Sequence, residues 1–215
     1  MSHYLDFENW ARRGLFEFFI GYTNPYFNVC TRLDVTDFLA FVRGRGEVKV
    51  SLALHYFALR VANENEPFRY RLKDGKVYVY DVVIGGTTVL LPNETFAYAY
   101  FEYQRDFENF VRDMGTAVEE VRREGRLKPT MRDDVIYHTT LPWFSFTSFA
   151  HARTGGRGES IPRIVFGKFI EENNRLMMPI SVEVHHALMD GIHVGRFLSG
   201  LEAALAAPQE FIQSE

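Results

Sequence analysis

The sequence predicts an α+β fold in a single domain, with helices flanking a mixed, largely antiparallel sheet. Three observations lead there. Segments with helical spacing lie early and late in the chain, and strand-like runs in mostly hairpin order lie between them. A length of 215 residues at 47% hydrophobic content fills one core without requiring two, so residues 1–215 are read as one domain. The aromatic fraction of 15%, from 20 Phe, 11 Tyr and 2 Trp, favours β-structure and apolar pockets.

The elements follow in order. "DVTDFLAFVRG" opens with the capping candidates Asp34 and Thr36, carries Phe38, Leu39 and Val42 at helical spacing, and stops at Gly44, which predicts a short helix. "SLALHYFALRVANEN" is apolar on most turns and runs into polar residues before Pro67, which predicts a largely buried helix. In "FRYRLKDGKVYVYDVV" two alternating runs flank Asp74-Gly75, a strong two-residue turn signal, so a hairpin is expected. "TTVLL" and "ETFAYAYFEY" read as strands separated by a turn at Pro92-Asn93. Phe107, Phe110, Val111, Met114, Val118 and Val121 then recur every three or four residues, the pattern of an amphipathic helix. "LPWFSFTSF", "SIPRIVFGKFI" and "LMMPISVEVHH" read as strands, and "GIHVGRFLSGLEAALAA" as a closing helix. The "RTGGRGES" stretch lacks the Lys-Ser/Thr of a phosphate loop and reads as a surface turn.

Composition excludes several function classes. A net charge of −4 provides no general basic field for nucleic acid. Cys30, the single cysteine, can form no internal disulfide and reads as a small buried hydrophobe. The acidic N-terminal stretch differs from a secretory signal, and no apolar run reaches membrane-spanning length, so a soluble, cytoplasmic protein without membrane contact is expected.

The chemistry-bearing stretch is "VEVHHALMDGIHVGRF", with His185, His186, Asp190 and His193 in nine positions. Zinc needs three or four convergent ligands; adjacent histidines at a strand end point to opposite faces, so no metal is expected. Asp190 is a good cap for the helix that follows, which leaves His186 without a role. A histidine held at a rigid strand end can also act as a general base towards a hydroxyl or thiol. From the residues alone, capping and proton transfer both remain open, and they are compatible.

"HHALMDG" carries the HHxxxDG signature of CoA-dependent acyltransferases, and the chain resembles the chloramphenicol acetyltransferase family over nearly its full length. Plant acyltransferases, peptide-synthetase condensation domains and the cores of 2-oxoacid dehydrogenase complexes share all or part of the signature. "NWARRGLFEFF", "FRYRLKDGKVYVYD", "ETFAYAYFEY", "LPWFSFTSF" and "LMMPISVEVHHALMDGIHVGRF" resemble the acetyltransferases in the same order.

The resemblance implies a trimer with active sites at subunit interfaces and acetyl-CoA as co-substrate, without a metal. His186 would be the base that deprotonates an acceptor hydroxyl for direct attack on the thioester. Ser148 would donate to the oxyanion, and Asp190, paired with Arg12, would hold the histidine loop. Without the resemblance, Ser148 is a strand hydroxyl and Arg12 a helix-surface charge. Phe18, Phe19, Phe96 and Phe146 match the aromatic wall of the acceptor pocket, while Lys168 and Phe169 match positions at the CoA phosphates and adenine.

Departures from the family pattern bear on the acceptor. Tyr98 stands where a small residue is usual, Arg163 where an apolar residue is, and Val165 where a threonine is. A buried Arg163 requires an anionic partner, in the chain or on the acceptor. Chloramphenicol is the leading acceptor by resemblance, with another hydroxyl compound as the alternative. A lipoyl-thiol acyltransferase core and a non-catalytic homologue are further readings.

Overall fold

The computed structural model describes residues 1–153 and 159–214. The elements run β1 (His3–Tyr4), α1 (Arg13–Phe19), β2 (Tyr26–Asp34), α2 (Thr36–Arg43), α3 (Val50–Glu64), a 3-10 turn (Glu66–Arg69), β3 (Tyr70–Lys73), β4 (Lys76–Val79), β5 (Ile84–Leu90) and β6 (Phe96–Phe101). They continue with α4 (Phe107–Glu124), β7 (Val135–Leu141), β8 (Arg163–Gly167), β9 (Ile170–Glu172), β10 (Arg175–His185), α5 (Gly191–Ala206) and α6 (Pro208–Gln213). The main sheet has the order β2-β10-β8-β7-β5-β6, with β9 also on β10, and a small antiparallel sheet has the order β1-β4-β3. Within the main sheet β5–β7 and β7–β8 are parallel, and the other pairs are antiparallel. The sheet is therefore mixed and largely antiparallel, flanked by helices, as the periodicities predict.

The side-chain period of two gives the sheet unlike faces. Ile180, Val182 and Val184 of β10, with Ile164 and Phe166 of β8, join the core beneath α2, α3 and α5. The alternate residues Ser181, Glu183 and His185 are also buried, but against polar neighbours on the opposite face. Leu54, Tyr56, Phe57, Ala58, Leu59 and Val61 bury most of α3, which lies at the centre of the core. Among the described residues no helix is long and apolar enough to cross a membrane.

The hairpin turn is where the sequence places it. Asp74 and Gly75 have φ of 52° and 73°, the pair of positive values that a type I′ turn requires. The same device recurs unread at Asn173 and Asn174, φ 51° and 62°, which fold β9 onto β10. The expected strand "SIPRIVFGKFI" is itself split, because Lys168 and Phe169 lie outside the sheet between β8 and β9.

Other expectations need correction. "LPWFSFTSF" is not a strand: only Leu141 belongs to β7, and the rest leaves the sheet with Trp143 and Phe144 exposed at 59% and 50%. The strand in that region is the preceding "VIYHTTL", whose threonines and histidine disguise it. β2 was likewise unread. Its Asn28, Cys30 and Arg32 alternate with residues that face the core, and polar pairing replaces the usual apolar signal. The helix expected from Asp34 begins at Thr36, with Asp34 accepting the Thr36 N–H at 2.9 Å. Most of the "RTGGRGES" turn lies outside the described residues.

Candidate active site

His186 follows the last residue of β10, where the strand gives way to the turn that starts α5. Its backbone N–H donates to Pro25 O at 2.7 Å, tying the turn to the start of β2. The ring stacks on Phe19 at 3.9 Å between centroids and 10° between planes, and Phe27 lies 4.7 Å away at a tilt. Nδ1 faces two acceptors, Met189 O and Asp190 Oδ1, each at 3.2 Å. Two acceptors on one nitrogen place the ring proton there and leave the Nε2 lone pair free. His186 is about one-third exposed, so Nε2 chemistry can be reached from outside.

Asp190 also pairs with Arg12, whose guanidinium donates to His186 O at 3.0 Å. Arg12 thus touches the acid and the histidine backbone together, although it lies 174 positions from His186. Burial lowers the Arg12 pKa without removing its charge. Asp190 is the N-cap residue of α5, and His193 returns Nδ1 to the Asp190 N–H at 2.8 Å.

The other histidine in the pair faces away. His185 is 1% exposed, accepts the Ala187 N–H on Nδ1 at 3.2 Å and packs edge-on against Tyr26. Burial, with Arg153 and His186 adding to it, pushes its pKa down to about 4. Among the described residues no group of three or more His, Cys, Asp or Glu is arranged to hold a metal ion.

The remaining predicted residues fall into separate places on one chain. Phe18 is exposed at 60% beside Phe19 and Tyr22. Ser148 is exposed on the irregular stretch after β7, and among the described residues no hydrogen bond joins it to His186. Phe146 packs over Gly167, where an added Cβ would come within 2.8 Å of its ring, and lines a cavity of about 340 Å³ with Cys30 and Arg32. Val165 is fully buried between Thr139 and Ser181 on the adjoining strands.

Phe96, Tyr98 and Arg163 line one broad cavity of about 990 Å³ on the polar face of the sheet, together with Tyr137, His151 and Arg153. Tyr98 contacts Phe96 at 5.5 Å and Tyr137 at 5.7 Å, which gives the cavity an aromatic floor. The anionic partner that Arg163 requires is Glu159, and a second nitrogen donates to Ala152 O at 2.6 Å. Arg153 bridges Glu159 at 3.0 Å and Glu183 at 2.7 Å, extending the network beneath the cavity. Sequence reasoning missed Arg153, Glu159 and Glu183, though an acid at the centre of the apolar run "ISVEV" was a readable signal.

Lys168 and Phe169 line a mostly apolar cavity of about 400 Å³ with Val50, Ser51, Leu54 and Phe166. A neighbouring cavity of about 370 Å³ shares Ser51, Thr140 and Pro142 and carries Lys49, His55 and Arg122. The two adjoin beside α3, with Lys49, Arg122 and Lys168 among their lining residues. Lys49 and Arg122, also missed, both pair with Glu119.

Known proteins resemble this chain in sequence and in fold. The sequence profile described as "Chloramphenicol acetyltransferase" matches residues 2–202. A chloramphenicol acetyltransferase of Escherichia coli is 30% identical over 200 residues, covering 92% of this chain and 91% of the relative. A solved structure of a chloramphenicol acetyltransferase superposes with a TM-score of 0.82 at 27% identity, covering 95% of this chain and all of the other. The dihydrolipoamide acetyltransferase of Azotobacter vinelandii shares the fold at a TM-score of 0.72 and 17% identity, over 87% of this chain and 84% of its own. The match along nearly the whole chain, in sequence and in fold, establishes that this protein is an acyltransferase belonging to the chloramphenicol acetyltransferase family.

Proposed function

We propose that the protein transfers the acetyl group of acetyl-CoA to a hydroxyl of a small aromatic acceptor, with chloramphenicol the leading candidate and His186 the general base. One observation carries this reading: Met189 O and Asp190 Oδ1 both lie 3.2 Å from Nδ1 of a one-third-exposed His186, which favours the proton on Nδ1 and leaves Nε2 to accept one. Nε2 takes the hydroxyl proton as the oxygen attacks the thioester carbon; the thiolate then departs and receives that proton from His186. No acyl-enzyme forms. Ser148 donates to the oxyanion of the tetrahedral intermediate. The cleft beside Lys168 and Phe169 suits a long apolar arm with a phosphate-bearing end. The cations under the acceptor cavity are already matched by Glu159 and Glu183, which favours a neutral acceptor.

The acting unit is a homotrimer in which one copy's His186 meets the acceptor cavity of its neighbour. β10, which leads to His186, and β6, which carries Tyr98, are separated by β8, β7 and β5. Four strand spacings come to roughly 19 Å, so an acceptor seated against Tyr98 is out of reach of the same copy's His186. Exposed Phe18, Trp143 and Phe144 provide apolar surface suited to burial between copies. The lipoyl-thiol alternative rests on likeness of fold alone.

The test is thiol release from acetyl-CoA with chloramphenicol and a panel of aromatic alcohols. Wild type should turn over at least one acceptor, and His186→Ala should lose about 100- to 10,000-fold in kcat. Mixed oligomers of His186→Ala and Ser148→Ala subunits should regain activity that neither variant has alone. Full activity in His186→Ala would reject the base assignment, and failure of mixed oligomers to recover would reject the shared site.

A further inference from the structure

We propose that His193 is a positioning residue for the acyl transfer, setting the direction of the Asp190 carboxylate through the Asp190 main chain; this rests on the reading of His186 as the base. Asp190 serves two groups outside its own helix, Arg12 and His186 Nδ1. Both contacts depend on how the backbone presents its side chain at the turn into α5, where φ is −116° and ψ 175°. From the helix side the Asp190 carbonyl accepts the N–H groups of His193 at 2.9 Å and Val194 at 3.3 Å, and among the described residues only the His193 side chain reaches back, its Nδ1 accepting the Asp190 N–H at 2.8 Å.

The choice of residue is informative. A helix that begins with such a box ordinarily carries Glu or Gln at the third position, reaching back to the capping residue's N–H. A glutamate there would stand beside Asp190 and compete with it for Arg12. The imidazole supplies the same acceptor without a charge, provided Nδ1 is unprotonated. Burial, together with the charges of Arg12 and Arg196, lowers the His193 pKa and keeps the ring in that neutral form. The Arg12–Asp190 pair therefore stays intact, and with it the Nδ1–H tautomer of His186.

A purely structural cap and a positioning cap predict different results for His193→Gln, His193→Glu and His193→Ala. Gln and Glu should both preserve the melting temperature, because each supplies the acceptor to the helix start. Gln should also keep wild-type kcat. Glu and Ala should lose about 10- to 100-fold in kcat, the scale of a small misplacement of the base, with both KM values unchanged. A Glu variant as active as Gln would overturn the proposal, as would an Ala variant whose loss matches only its unfolded fraction. Ring 15N shifts of His186 give a readout independent of turnover. Wild type and Gln should show the Nδ1–H tautomer, and Glu and Ala a mixture; an identical pattern in all four would overturn the proposal even if no acceptor is turned over. Inactivity of wild type with every alcohol would instead count against the proposed function.

Discussion

At Asp190, charge and geometry are tightly joined. Its side chain is 28% exposed and that of Arg12 only 11%, so removing the acid leaves a cation poorly placed to recover water. Asp190→Asn keeps the shape and removes the charge; it should cost about 2 kcal/mol, below the range for a fully buried pair because both groups retain some solvent. Urea unfolding would measure the loss. The double variant with Arg12→Gln should lose less than the sum of the two single variants, and strict additivity would mean that the pair is not coupled. His186 and Asp190 were legible as chemistry because they sit four positions apart in one stretch. Arg12 was not, since nothing local connects residues 174 positions apart, and only the family resemblance joined them. The need of Arg163 for an anion was also legible once the resemblance placed it at an apolar pocket position, and Glu159 meets it.

At the scale of elements, legibility followed how cleanly each segment separates polar from apolar neighbours. The hairpin around Asp74-Gly75 and the amphipathic α4 were readable because turn chemistry and period agree. β2 was hidden because its second face pairs polar groups across strands, and β7 because the buried His138 and half-buried Thr139 and Thr140 interrupt its apolar pattern. "LPWFSFTSF" misled for the converse reason: its aromatics have strand composition, but Trp143 and Phe144 are exposed and Phe146 and Phe149 only half-buried. β5 carries a constraint of another kind. Gly85 lies opposite Phe101, and a Cβ built there would come within 2.0 Å of the ring. Phe101 is 5% exposed and packs edge-on against Phe110 of α4, so it cannot simply swing away. Gly85→Ala should destabilise by about 2 kcal/mol through overpacking, read as a lowered denaturant midpoint. Gly14→Ala, in α1 with nothing within 4 Å of its added carbon, is the control and should leave the midpoint unchanged or raise it.

The whole molecule carries a titration built into its core. His55 on α3 and His138 on β7 are buried with ring centroids 5.3 Å apart. His55 is satisfied by Ser51 O at 2.6 Å and Thr87 Oγ1 at 3.0 Å, whereas neither ring nitrogen of His138 has a partner among the described residues. Burial pushes the His55 pKa from 6.5 down to about 4, and the His138 pKa well below its ordinary value, with His55 adding to the shift. In the unfolded chain both rings take up protons near pH 6.5, before the folded rings do. Their stabilising contribution is thus complete above pH 6.5 and declines as pH falls towards the folded values; for His55 the loss is about 3 kcal/mol by pH 4. His138→Met removes one of the two rings and two unsatisfied polar atoms in exchange for an adaptable apolar side chain. The variant should gain about 1 kcal/mol at neutral pH. Its unfolding free energy, measured by urea titration at half-unit steps from pH 7.5 to 4.5, should also fall less steeply than that of wild type. Parallel curves for the two proteins would mean that the buried ring does not control acid stability and that carboxylates set it instead.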